Sequence, residues 1–295
     1  MARWLAQRGA QPQPQPQPVP VRLELSGPRL EASLARLTAG CEPHGGIERY
    51  VQAVKLKSAM FRDALGAAGE GAAELEPEAF KGLCTFMATV RRRIAPWLER
   101  PDFDALRDAL VRLVRVIGDT GSTDREVAAF GTDFVRGERD RWVRDLAVEI
   151  LHNVDPERFP LMNRWVWDVA TNTGALREIW HDPQGESARI EVPDTYTTFL
   201  TLREELSGFL SNNGFFRDVI YYVDLLCAQV YAEYICEQGG SYLRTDFAAE
   251  DDQLQYTRRL LGLDGVRAGS GRTRLKTIDG KAFVLCGDTP QGLPD

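Results

Sequence analysis

Residues 215–236 read FFRDVIYYVDLLCAQVYAEYIC, and the apolar side chains of this stretch lie around nearly the whole circumference of a helix. A helix of this kind packs against neighbours on several sides, so residues 215–237 are predicted to form the central helix. Asp224, Gln229 and Glu233 interrupt the apolar run, and each needs a partner if it is buried. Two interpretations are open: these residues form an internal polar or metal site, or they occupy a narrow exposed edge of the helix.

Outside this stretch, most of the chain also repeats its apolar residues with a helical period. Gly and Pro residues separate the periodic segments, as expected at helix ends. Further helices are predicted from Ile47 to about residue 65, from Pro77 to Trp97, from Asp102 to Ile117, and at about residues 124–135, 138–153, 164–181, 195–212 and 250–261.

The two ends of the chain depart from this pattern. Residues 11–20, QPQPQPQPVP, cannot contribute to a core and are typical of an extended tail. Residues 273–286, TRLKTIDGKAFVLC, alternate on both sides of Asp279-Gly280, a pattern typical of a β-hairpin. We therefore predict an all-α, multi-helix globular domain at residues 45–262. A mostly disordered Pro/Gln-rich tail at 1–44 precedes it, and a small β-hairpin appendage with a C-terminal tail follows at 263–295.

Composition limits the classes of function. The chain of 295 residues has a formal net charge of −7, which argues against broad, charge-driven binding of nucleic acid. The five cysteines include no close pair of the kind found in zinc or redox motifs, so free thiols in a reducing cytoplasm are expected. We also expect no membrane association, because no apolar run approaches membrane-spanning length. No phosphate loop or nucleophile motif is present, and no cofactor is predicted.

Two histidines follow a glutamate by three positions, in the pairs Glu149/His152 and Glu178/His181. On a helix this spacing places carboxylate and imidazole on one face, as in carboxylate-bridged di-iron proteins. The sequence therefore offers a metal-dependent enzyme as one hypothesis. On a helical wheel, however, Glu149 and His152 point away from the predicted apolar centre, which favours a solvated or helix-end role over a metal site.

Residues 145–170, DLAVEILHNVDPERFPLMNRWVWDVA, resemble a segment of helix-hairpin-helix DNA glycosylase-like proteins. In that family an apolar helix ends at a DP turn, a second proline follows, and an aspartate opens the next helix beside a groove for a flipped nucleotide. The resemblance implies a related helical architecture and a nucleic-acid substrate. Asn163 stands at the position of the catalytic aspartate, and an asparagine cannot act as a carboxylate base. Asp155 and Asp168 are the nearest carboxylates that could substitute.

The same stretch contains Trp165 and Trp167, which would lie about 200° apart on a helix. Either one of them is exposed beside Arg164 and contacts a partner, or both are buried between helices. Our preferred hypothesis is a non-enzymatic helical binding or regulatory protein that engages a protein partner. The alternative is a protein that processes or senses nucleic acid, with Asn163, Asp168, Trp165, Arg139 and Arg144 lining a cleft.

Overall fold

The computed structural model describes residues 21–134, 140–181, 189–238 and 253–266. The described residues form helices and turns with only two isolated β-bridges, so the prediction of an all-α body is confirmed. The predicted hairpin at 273–286 lies outside the described residues. The α-helices are α1 (Gly27–Cys41), α2 (Ile47–Leu65), α3 (Pro77–Cys84), α4 (Asp102–Leu113), α5 (Thr123–Phe134), α6 (Trp142–Val154), α7 (Ala175–Glu178), α8 (Tyr196–Asn212), α9 (Val219–Gln238) and α10 (Gln253–Leu260).

Helix α9 is the central helix that the sequence predicts. It packs most extensively against α10 and α8, and also against α1, α2 and α7. Asp224, Gln229 and Glu233 are 4%, 2% and 7% exposed, so the interpretation that they occupy an exposed edge is wrong. Each has a polar partner in the interior: Asp224 contacts His152, Gln229 accepts a hydrogen bond from Thr257, and Glu233 accepts hydrogen bonds from Ser33 and Arg36.

By length and composition alone, α9 also resembles a membrane-spanning helix. Residues Val219–Glu237 have a mean hydropathy of 1.2, and 67% of this window is buried inside the fold. The expectation that no apolar run approaches spanning length is therefore wrong. The neighbouring helices already cover most of the apolar surface that makes α9 look like a membrane span.

Helix α6 is buried on almost all sides, and Arg144 is the one residue of this helix that is not buried. It packs against α2 and α5, and its polar residues Asp145, Glu149 and His152 therefore lie in the interior. Because this polar face is buried, the candidate metal ligands on α6 lie inside the fold rather than at its surface.

Helix α1 lies inside the region predicted to be a disordered tail, so the tail boundary at residue 44 is wrong. Pro28 stands in the first turn of α1, where a proline is compatible with a helix. Leu30, Leu34 and Leu37 follow at helical spacing and are buried, and Ser33 and Arg36 pair with Glu233 of α9. The apolar period already begins at Leu30 rather than at Ile47.

Two predicted helices are shorter than expected. Helix α3 ends at Cys84, and the chain reaches Trp97 through turns and a short 3-10 segment. In the predicted 164–181 helix, only Ala175–Glu178 is α-helical. The reason is a reversal at Gly174, which has a φ of +127° and lies so close to Val166 that a Cβ would be 2.7 Å from the Val166 carbonyl oxygen.

The helical body also extends past the predicted boundary at residue 262. Residues Leu263–Val266 form a 3-10 turn after α10, Leu263 is buried, and Asp264 accepts a bidentate pair from Arg91 at 2.8 and 2.7 Å. Residues 263–266 therefore belong to the helical body rather than to the appendage.

Candidate functional site

The residues that the sequence singles out lie on α6 and on the segment that follows it. Asp145, at the start of α6, is 1% exposed and accepts hydrogen bonds from the backbone and guanidinium of Arg164, the shortest at 2.8 Å. Arg164 is therefore held by an internal ion pair. This pair joins the first turns of α6 to the chain after the DP turn.

Glu149 lies one turn further along α6 and is 1% exposed. Its carboxylate accepts hydrogen bonds from Lys57 Nζ at 2.9 Å, from Asn163 Nδ2 at 3.2 Å and from Asn153 Nδ2 at 3.3 Å. The prediction that Glu149 points to solvent is wrong because a helical wheel shows only which side of α6 is apolar, and not what covers its polar side. Its polar face is covered by α2, which supplies Lys57.

Asn163, the residue at the glycosylase aspartate position, is 0% exposed. Its side chain donates to Glu149, and its backbone carbonyl accepts hydrogen bonds from Val166 and Trp167. Its Oδ1 has no hydrogen-bond partner among the described residues. Asn163 thus sits beneath the surface and does not open onto a cleft.

His152 is also buried, at 5% exposed, so the prediction of a solvent-facing imidazole is wrong. Its Nε2 is 3.1 Å from the Asp224 carboxylate and its Nδ1 is 2.9 Å from the Phe159 carbonyl oxygen. Burial acts most strongly and lowers the His152 pKa, but the charge and hydrogen bond of Asp224, the Phe159 carbonyl and the charge of Glu149 together raise that pKa above its usual value. The pair ties α6 to α9.

The raised pKa predicts a pH dependence of stability. Protonated His152 is favoured in the fold, so this stabilisation is complete below the unfolded pKa of about 6.5 and is lost as pH rises through the folded pKa. We expect the free energy of unfolding to fall as the pH rises above the unfolded His152 pKa of about 6.5 and through the higher folded pKa. In Asp224→Asn the His152 pKa should move downward and this fall should shrink. Denaturant titrations and NMR titration of the three histidines measure both effects.

Asp218→Asn is the matched control, because Asp218 is half-exposed beside Lys55 and does not contact His152. It should leave the His152 titration unchanged. A His152 pKa that is the same in wild type and in Asp224→Asn would contradict the assignment of Asp224 as the partner that raises it.

Both tryptophans of the segment are buried, Trp165 at 6% and Trp167 at 0% exposed. Trp167 Nε1 donates to the Val192 carbonyl at 2.9 Å, and the Trp165 ring stacks on Tyr231 of α9 with centroids 6.2 Å apart. The interpretation that one of them is exposed for a partner is wrong, and the alternative that both are buried is confirmed.

The remaining candidates for a nucleic-acid cleft are also engaged within the fold. Asp168 is 4% exposed, pairs with Arg141 and accepts hydrogen bonds from Ala170 and Thr171. Asp155 closes the turn after α6 by accepting from the Arg158 backbone.

Arg144 donates hydrogen bonds to the carbonyl oxygens of Met162 and Asp194. These two contacts hold its side chain against the fold, so that it is only partly exposed. Arg139 lies outside the described residues. Since Asn163, Trp165 and Asp168 are buried, the hypothesis that they line an open cleft is wrong for these three residues.

The Glu-x-x-His pairs do not converge on a common site. His152 uses both ring nitrogens on Asp224 and Phe159, whereas His181 is exposed and its backbone N–H donates to Glu24. Arg29 donates to the carbonyl oxygen of Glu178. In the part of the chain that the structure describes, no group of three or more His, Cys, Asp and Glu side chains is placed to hold a metal ion.

The cysteine thiols are poorly suited to nucleophilic chemistry. Cys41, Cys84 and Cys227 are free and buried, and burial is the main cause that raises the pKa of each thiol, for Cys41 to about 12. A thiol with such a pKa is protonated at neutral pH and is a weak nucleophile. These residues therefore contribute to packing.

The surface carries a feature that the sequence analysis missed, a groove of about 500 Å³ between α1 and the turn from α8 to α9. We call it the α1 groove, and it is lined by Glu31, Leu34, Ala35, Thr38, Ala39, Glu42, Asn213 and Phe215. Ala35 and Ala39 are exposed on one face of α1, and the exposed carboxylates of Glu31 and Glu42 stand toward its two ends. The spacing of residues 31, 35, 39 and 42 could have revealed this face had α1 been recognised.

Phe216 follows Phe215 directly and is 77% exposed. It is the large hydrophobic side chain that the described residues leave mostly in water. The interior candidates are thus occupied by internal pairs, while a large apolar side chain remains exposed one residue after Phe215 of the groove lining. A comparison with protein families, with characterised proteins and with solved structures gives no match to this chain.

Proposed function

We propose that this chain is a non-enzymatic helical binding protein, and that it engages a protein partner through the α1 groove and Phe216. The observation that carries the proposal is the 77% exposure of Phe216, the residue that directly follows Phe215 of the groove lining. Exposed aromatic residues next to a concave apolar surface are typical of protein interfaces. We place the protein in the cytoplasm, in keeping with the free thiols of Cys41, Cys84 and Cys227.

The energetics favour a partner that covers Phe216. Complete burial of a phenylalanine side chain stabilises a complex by about 1.5–3 kcal/mol. The small side chains of Ala35 and Ala39 let a partner backbone approach α1 closely, and the groove buries the partner's own apolar residues. The carboxylates of Glu31 and Glu42 favour a partner that carries basic residues on either side of an apolar anchor.

An enzymatic or nucleic-acid role receives less support from the interior. The acid, base and amide groups around α6 already pair with each other, as in Lys57 with Glu149 and His152 with Asp224. Arg144, which the sequence placed in the nucleic-acid cleft, and Arg164, which it placed beside an exposed tryptophan, are held by Asp194 and Asp145. DNA binding would appear as an affinity that falls steeply with added salt.

Selection of peptides against the purified full chain tests the proposal. We expect random phage-displayed peptides to converge on sequences with a large apolar residue flanked by Lys or Arg. The double variant Ala35→Arg/Ala39→Arg should weaken binding of the selected synthetic peptides by at least about tenfold, since it fills the groove and repels basic residues. Phe216→Ser should weaken it by a similar factor.

The matched control is Ala128→Arg/Ala129→Arg, which adds the same charge at two exposed alanines of α5. It should leave peptide affinity within about twofold of wild type, apart from the general electrostatic effect of the added charge. Peptides that bind both double variants equally well would place the binding surface elsewhere. Salt-dependent binding of duplex DNA, with no peptide selected, would favour the nucleic-acid alternative.

A further inference from the structure

We propose that residues 1–8 of this same chain, MARWLAQR, bind in the α1 groove and compete with the protein partner. This inference rests on the proposed function of the groove and adds a regulatory ligand within the chain. Residues 1–20 lie outside the described residues, and the described chain begins only six residues before α1, at Val21.

The charges of the segment and the groove are complementary. Residues 1–8 contain Arg3 and Arg8 and no acidic residue, and the first acidic residue of the chain is Glu24. The groove has Glu31 and Glu42, both exposed, and no basic residue in its lining. Pairing of the two arginines with these two exposed carboxylates would fix the direction in which the segment runs along α1 and its register in the groove.

The spacing of these charges also matches. Glu31 and Glu42 are eleven residues apart on and just beyond α1, which corresponds to about 16 Å along a helix axis. Arg3 and Arg8 are five residues apart, which corresponds to about 17 Å in an extended backbone. An extended segment along α1 therefore places the backbone of one arginine near each end of the groove. Because the two side chains leave an extended strand on opposite sides, Arg8 faces the groove together with Trp4, and the long side chain of Arg3 turns over the strand edge to reach its carboxylate.

Between the two arginines, the segment carries apolar residues that can cover the exposed apolar side chains of the groove. Trp4 and Leu5 follow Arg3 directly, and because neighbouring side chains of an extended segment point to opposite sides, Trp4 is the one that would lie over the exposed Ala35 and Ala39. Phe215 lines the same groove, so an indole ring has an aromatic side chain to pack against. An amphipathic segment with a tryptophan anchor is the kind of ligand that such a groove selects.

The connection is long enough to permit binding within one chain. Residues 9–20 join the segment to Val21, and twelve residues rich in proline span up to about 37 Å. Helix α1, with 15 residues, is about 22 Å long, so the tether is longer than the helix that carries most of the groove. A tether of this length holds its ligand at an effective concentration of the order of 1 mM, and a weak contact is then sufficient for occupancy.

A synthetic peptide with the sequence of residues 1–8, labelled at its C-terminus with fluorescein, tests the inference by fluorescence anisotropy. It is titrated with the full wild-type chain and with the full chain carrying Trp4→Ser/Leu5→Ser, in which the internal competitor is disabled. With an intrinsic Kd of about 100 μM, the variant should bind the peptide about tenfold more tightly than wild type. Adding Ala35→Arg/Ala39→Arg to the Trp4→Ser/Leu5→Ser chain should abolish binding, and adding Ala128→Arg/Ala129→Arg should not.

Three outcomes would overturn the inference. The peptide could bind wild type and Trp4→Ser/Leu5→Ser with equal affinity, or it could fail to bind Trp4→Ser/Leu5→Ser. Wild type could also form concentration-dependent dimers that Trp4→Ser/Leu5→Ser does not form. The last would assign the groove to residues 1–8 of a second copy, as sedimentation velocity would show. None of these three outcomes contradicts the proposed function as long as the selected peptides bind Ala35→Arg/Ala39→Arg more weakly than wild type. The proposed function is overturned separately, if the selection yields no such peptides.

Discussion

Replacing Lys57 by methionine should lower the free energy of unfolding by about 3–5 kcal/mol, the cost of leaving one member of a buried ion pair without its counter-charge. Lys57 and Glu149 have side chains that are 5% and 2% exposed and a 2.9 Å contact. Lys57 also donates to the Leu261 carbonyl at 3.0 Å, so the substitution weakens the attachment of the chain after α10. Methionine has a similar length and leaves little cavity, so the loss comes from the two contacts of the ammonium group rather than from packing.

Helix α2 offers a matched control two positions earlier. Lys55 pairs with Asp218 at the same distance of 2.9 Å, but these side chains are 37% and 38% exposed. Lys55→Met should therefore cost no more than about 1 kcal/mol. The double variant Lys57→Met/Glu149→Met should recover part of the single-variant loss, since no unpaired charge stays buried. Urea titration measures all three, and equal costs for Lys55→Met and Lys57→Met would show that burial of the pair contributes nothing.

Local periodicity predicts much of this fold because it depends on near neighbours in sequence. The apolar circumference of residues 215–236 correctly predicts a central helix, and the stripes beginning at Ile47 and Asp102 correspond to α2 and α4. The 164–181 helix fails because a packing contact, the approach of Gly174 to Val166, reverses a segment whose composition is compatible with a helix. Helix α1 was missed because the repeat of glutamine and proline before it suggested a longer tail.

The candidate site was less predictable, since its contacts join residues distant in sequence. A helical wheel shows that Glu149 and His152 are off the apolar face of α6, but it cannot show that Lys57, 92 positions earlier, and Asp224, 72 positions later, cover that face. The α1 groove also joins residues distant in sequence, because α1 forms it together with Asn213 and Phe215. Exposure of Phe216 is likewise a property of the packed molecule.

Gly262→Ala should be the second strongly destabilising substitution, with a loss of at least about 3 kcal/mol in the free energy of unfolding. Gly262 is buried and has a φ of +72°, and a Cβ at this position would lie 1.8 Å from the Phe86 carbonyl oxygen and 2.5 Å from its carbonyl carbon. These are backbone atoms that cannot rotate away. The chain after α10 must then separate from the turn at Phe86, which also disturbs the Lys57 contact to Leu261 and the Arg91 pair with Asp264.

Gly214→Ala separates conformational strain from this clash, because Gly214 has a φ of +93° with nothing within 4 Å of the added Cβ. It should cost only about 1–2 kcal/mol, the penalty for a left-handed backbone in alanine. Hydrogen exchange should show faster exchange in α10 for Gly262→Ala and not for Gly214→Ala, since only the former pushes α10 away from Phe86. Equal losses for the two alanines, with α10 protected in both, would mean that the chain around Phe86 yields to a methyl group. The close approach of Gly262 to Phe86 would then not be what holds α10 against the body.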